Sequence, residues 1–130
     1  SFDERSWKYL DMMVELCKSK DITLLLIKAP SLYPYWYPEW DAQMVGYAAE
    51  NGLAYYSMIG KDKEIGLDWS RDTYDKGLHL NVYGAEKVTS YFGKILAENH
   101  GLTDHRTDAE LSSLWNERID AYYKERNGEK

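Results

Sequence analysis

Cysteine is almost missing from the 130-residue chain: Cys17 stands alone. That excludes an internal disulfide framework and any cysteine-rich zinc site. Long apolar runs are missing too, so no stretch reads as a membrane span. The start, "SFDERSWKYL", lacks the charged and then apolar layout of a secretion signal, which for an exported protein is expected upstream of it. Positive charge is in deficit, with 16 Lys and Arg against 22 Asp and Glu, for a net charge of −6. The basic residues are scattered among acids, whereas nucleic acid or an anionic membrane needs clustered cations to replace counterions. No nucleic-acid partner is therefore expected. His79, His100 and His105 have no metal-ligand spacing, and the isolated "NG" and "YG" pairs make no phosphate loop.

Aromatic residues are plentiful instead, with twelve Tyr and five Trp, many of them bunched as in "YPYWYPEW", Tyr33 to Trp40. Such side chains suit a core, an interface or a sugar-binding face equally. Trp7, Leu10, Val14 and Cys17 recur at helical spacing and predict an amphipathic helix from Glu4 to Lys18. The apolar run from Ile22 to Ile27, closed by Pro30, predicts a strand covered on both faces, as in a parallel sheet. Met44, Val45 and Ala48 mark one face of a short helix stopped by Gly52, and "LAYYSM" predicts a second strand. Strand, helix, strand in that order is a βαβ unit. A long polar loop is expected from Ile59 to Leu78. Asn81 then caps a helix with Ala85, Val88, Phe92 and Ile95 on its apolar face, ending near Gly101. Thr107 and Glu110 have capping-box spacing for a last helix with Leu111, Leu114, Trp115, Ile119 and Tyr122 facing inward.

The class is α/β, yet two strands that read as buried on both faces cannot complete the sheet they imply. Residues 1–102 therefore read as the C-terminal part of a larger α/β domain, and 103–130 as a C-terminal helix with a polar tail. Upstream strands of the same domain, or another chain, are the expected partner that completes the sheet.

"DTYDKGLHLNVYGAEK", Asp72 to Lys87, carries the chemistry. A histidine after such a loop, with a carboxylate a few residues away, can take a proton from a hydroxyl nucleophile while the acid fixes its tautomer. His79 and Asp75 fit these roles, with Asp72 and Asp68 as competing acids. On spacing alone the block also reads as a packed histidine, an N-cap and turn-favouring aspartates.

"YDKGLHLNVYGAEKVTSYFG" resembles the last block of the SGNH (GDSL-like) hydrolase superfamily, particularly its envelope-associated acyltransferase and esterase branch. The order of helix, "ITLLLIKAPS", helix, "LAYYSM" and loop is similar to the C-terminal half of such a domain, so the resemblance covers Trp7 to Leu102. It implies a flavodoxin-like three-layer α/β/α fold with parallel strands, with His79 as catalytic base, Asp75 as its acid, and an extracytoplasmic or membrane-anchored setting through an upstream segment. Two features depart from the family pattern. Three residues separate Asp75 from His79 where the family has two, Lys76 being the extra one, and the family's Gly-Asp-Ser elbow and its oxyanion blocks are absent. Ser31, Ser57 and Ser70 lack the context of a nucleophile. The catalytic serine is therefore expected upstream.

The leading expectation is the C-terminal part of a serine esterase or O-acyltransferase acting on acyl esters of a cell-envelope or extracellular carbohydrate, with an acylated carbohydrate or other ester as substrate and no metal or organic cofactor. Tyr35, Trp36, Tyr37 and Trp40 are the candidate substrate-binding residues, as a stacking surface on the rim where His79 is expected. The alternative is a non-catalytic α/β interaction module that holds a glycan or a protein through the same aromatic loop.

Overall fold

A computed structural model describes residues 2–32 and 36–128. The chain divides into two compact units, Ser1–Tyr91 and Phe92–Lys130. In the first, helix α1 (Glu4–Ser19) opens on Asp3, whose carboxylate accepts the Arg5 N–H at 2.7 Å. It closes with Asp21 in the left-handed region (φ 54°) and the Ile22 N–H bonded to the Cys17 carbonyl at 2.9 Å. Ile22 is thus spent on the turn, which corrects the expected strand: β1 is Leu25–Lys28.

Helix α2 (Pro38–Asn51) starts inside the aromatic segment, because Pro38 occupies its first turn, where a missing N–H costs nothing and the fixed φ suits a helix. It ends on Gly52 at φ 67°, as expected from "ENG". Strand β2 (Ala54–Ser57) pairs parallel with β1, from Leu25 opposite Ala54 to Lys28 opposite Ser57. The protein is thus a mixed α/β structure with a small parallel sheet. Val14 of α1, Leu26 of β1 and Ala48 of α2 are buried together with Met58 and Ile65. The expected burial of both sheet faces is not found among the described residues: Ile27 is 48% exposed and β2 has no buried residue. A two-stranded sheet has too little area for layers on both sides.

The polar loop after β2 contains one helical turn, α3 (Asp62–Ile65), and an antiparallel bridge between Thr73 and Leu80. Helix α4 (Val82–Asn99) follows, with Asn81 Oδ1 accepting the N–H groups of Tyr83 (3.0 Å) and Gly84 (3.2 Å).

In the second unit, α5 (Ala109–Arg126) is capped by Asp108, not Thr107: the Asp108 backbone is extended and its carboxylate accepts the Leu111 N–H at 3.0 Å. The stripe of Leu111, Leu114, Trp115, Ile119 and Tyr122 is exposed, Trp115 by 57%, where the periodicity predicts an inward face. Periodicity fixes which residues share a face, and the surroundings decide whether that face is covered. Among the described residues, no helix is long and apolar enough to cross a membrane.

Candidate active site

His79 and Asp75 sit in a hairpin whose stem is the Thr73–Leu80 bridge. The Tyr74 N–H donates to the His79 carbonyl at 3.1 Å, and the reversal is made by Lys76 (φ 61°) and Gly77 (φ 109°) in left-handed conformations. This turn folds the Asp75 side chain back over the residues that follow. One carboxylate oxygen accepts the backbone N–H groups of Leu78 (3.1 Å) and His79 (2.7 Å), and the other lies 2.5 Å from His79 Nδ1. The His79 backbone N–H, followed by its ring, holds the Asp75 carboxyl below the usual carboxylate range, against a small opposing effect of desolvation. With Asp75 accepting from Nδ1–H, the assigned tautomer leaves the Nε2 lone pair available on a side chain that is 71% exposed.

The other two candidate acids are engaged elsewhere. Asp72 is only 3% exposed and accepts the Lys87 ammonium at 2.6 Å and the Asp68 N–H at 2.8 Å. Burial pushes its pKa up, but those two donors outweigh it and the net direction is down. Asp68 turns its carboxylate to the N–H (3.0 Å) and hydroxyl (2.6 Å) of Ser70, which lower its pKa.

The turn docks on the segment that leaves β1. The Leu32 N–H donates to the Gly77 carbonyl at 2.9 Å, and a Cβ on Gly77 would stand 2.6 Å from Leu32 Cδ1. The turn that carries His79 is thereby joined to the segment that follows the carboxyl end of β1.

Of the aromatic residues, Tyr35 lies outside the described residues. Trp36 and Trp40 meet edge to face at 5.7 Å, Tyr37 meets Trp40 at 4.7 Å, and Phe2 packs on both tryptophans. These rings form one cluster, pinned where the Trp36 indole N–H donates to Asp41 at 3.0 Å. The same Asp41 oxygen accepts the Tyr55 hydroxyl at 2.6 Å and the Ser57 hydroxyl at 2.8 Å. Burial raises the Asp41 pKa, but the three hydrogen bonds and the nearby Lys28 charge carry it below the usual range. Lys28 itself donates to the Ala29 carbonyl (2.6 Å) and the Ser31 hydroxyl (3.0 Å), with its ammonium 5.1 Å from the Trp36 ring centre. Sequence reading missed this Lys28–Asp41 group. Its only signals were an acid in the first turn after Pro38 and a charge at the end of an apolar strand.

Ser31, Ser57 and Ser70 are bonded to Lys28, Asp41 and Asp68 respectively, and none is bonded to the His79 ring. Among the described residues, no three His, Cys, Asp or Glu side chains are grouped to hold a metal ion. No family model, curated protein or solved structure matches this chain. The His79–Asp75 pair has the geometry of an imidazole oriented by an acid.

Proposed function

We propose that the chain is the C-terminal part of a serine esterase or O-acyltransferase of SGNH type, with a flavodoxin-like three-layer domain completed by an upstream half. The observation that carries this reading is the Asp75–His79 pair, bonded at 2.5 Å in the turn joined to the segment after β1, with the ring otherwise open to solvent. An upstream serine hydroxyl attacks the acyl carbonyl, forming a new bond from its Oγ to the carbonyl carbon as Nε2 takes the hydroxyl proton. The resulting imidazolium is stabilised by Asp75 and returns the proton to the leaving alkoxide as the original ester bond breaks. Water or an acceptor hydroxyl then takes the acyl group by the same route. The open strand pair, with Ile27 half-exposed, supports a missing sheet partner. The aromatic cluster beside Lys28 supports an acylated carbohydrate as substrate, because ring faces and hydroxyl-matching polar groups are what sugars require.

The test is esterase activity toward an activated acetyl ester. A protein that includes the upstream half turns over and loses on the order of 10²–10⁴-fold with His79→Ala, whereas the 130 residues alone are inactive because a base without nucleophile and oxyanion donors supplies little. Robust turnover by the 130-residue chain would sink this reading and move attention to Ser31, which already has an ammonium partner.

A further inference from the structure

The Asp72–Lys87 ion pair, buried at its carboxylate and half-open at its ammonium, lies outside the proposed chemistry, yet it touches both strands of the hairpin that carries it. Asp72 precedes the bridge residue Thr73, and its backbone carbonyl accepts the Asn81 N–H at 2.9 Å on the returning side. The Asn81 side-chain amide donates back across the stem to the Arg71 carbonyl at 2.6 Å, while its oxygen caps α4. Lys87, one turn and a half into α4, reaches over this crossing to the Asp72 carboxylate at 2.6 Å and the Gly66 carbonyl at 2.9 Å. Gly84 lets the helix approach that closely, since a Cβ there would lie 2.4 Å from the Asp72 carbonyl oxygen. Stem, helix start and preceding loop are therefore tied at one carboxylate, and the Asp75–His79 turn is the tip that extends from that assembly.

The tip is held from this base and, at Gly77, by the Leu32 N–H (2.9 Å). The Asp75–His79 contact is itself exposed, and an exposed pair contributes little to its own rigidity. We propose that Lys87 is a positioning residue that, through Asp72, holds the hairpin in the register in which Asp75 meets His79 Nδ1. Its catalytic meaning rests on the proposed esterase reading, whereas the control of the contact can be measured without activity. Removing the ammonium leaves the Asp72 carboxylate buried against one backbone N–H and the Gly66 carbonyl without this donor. The carboxylate then turns toward water, the stem opens, and His79 loses its acceptor.

The test reads the imidazole tautomer of His79 by long-range ¹H–¹⁵N correlation in the 130-residue chain at a pH where the ring is neutral. In the parent protein the Nδ1–H form dominates. Asp75→Asn and Lys87→Met each shift the ring to the Nε2–H form, and Lys87→Arg keeps the parent signature because it retains charge and donors. Asp72→Asn combined with Lys87→Met removes the buried charge, so this double variant folds even if Lys87→Met does not, and it too shows the Nε2–H form. A folded double variant that keeps the Nδ1–H signature overturns the positioning role. If Asp75→Asn leaves the tautomer unchanged, the dyad reading fails instead, which separates the two. In the complete protein, Lys87→Met lowers kcat roughly tenfold to hundredfold with KM unchanged, the scale of a misplaced catalytic group.

Discussion

Replacing Gly84 by alanine sets two effects of opposite sign against each other. Gly84 lies in the first turn of α4, where alanine gains about 0.5–1 kcal/mol from lower backbone entropy in the unfolded chain. Its new Cβ, however, would stand 2.4 Å from the Asp72 carbonyl oxygen, 3.0 Å from Leu80 Cδ2 and 3.1 Å from Asp72 Cβ. The nearest of these is backbone, already committed to the Asn81 N–H, so it cannot swing aside as a side-chain end would. Overpacking of this kind costs about 1–3 kcal/mol, and weakening the Asn81 bond adds roughly 0.5–1.5 kcal/mol. The clash wins, with a net destabilisation of about 0.5–4 kcal/mol. Urea unfolding followed by far-ultraviolet circular dichroism measures it as a lower midpoint at unchanged slope. A midpoint equal to or above that of the parent protein would refute the close approach of α4 to the Asp72 turn, because it is what helix propensity alone predicts.

Two further outcomes follow from charge and exposure. Asp41 has a folded-state pKa below the usual aspartate range, so its contribution to stability is present above about pH 4, where the unfolded carboxyl titrates, and is lost as pH falls through the lower folded value. Asp41→Asn should flatten the acid limb of a melting-temperature profile, and an acid limb identical to that of the parent protein would count against the three-donor network. Trp115→Ala should cost less than about 1 kcal/mol because the ring is largely exposed, against the roughly 3–5 kcal/mol expected of a buried tryptophan. A loss in the higher range by chemical denaturation would show that the α5 stripe is covered in solution.

Local signals were legible in the order of the chain. Apolar spacing placed α1, α2, α4 and α5, because each needs only a periodic stripe and a cap, and Gly52 and Asn81 stop and start helices by their own chemistry. "LLLI" and "AYYS" gave two strands, and the helix between them made the pair parallel. The sequence put Asp75 first as the acid for His79 and left Asp72 and Asp68 as competitors, since a carboxylate's partner depends on how the loop reverses.

That choice belonged to tertiary structure. Left-handed Lys76 and Gly77 fold Asp75 onto His79, while Lys87, fifteen residues from Asp72, pairs with that buried acid. The same distinction governs the aromatic segment: composition announced a stacking surface, but the ring-to-ring contacts and the Asp41 anchor arise only when α2 lies against β2. Exposure followed the same rule, for Ile27 and the α5 stripe have the periodicity of buried residues and are open. A sequence specifies which side chains share a face through its period, whereas coverage of that face is a property of what packs against it, and the period carries no information about the neighbour.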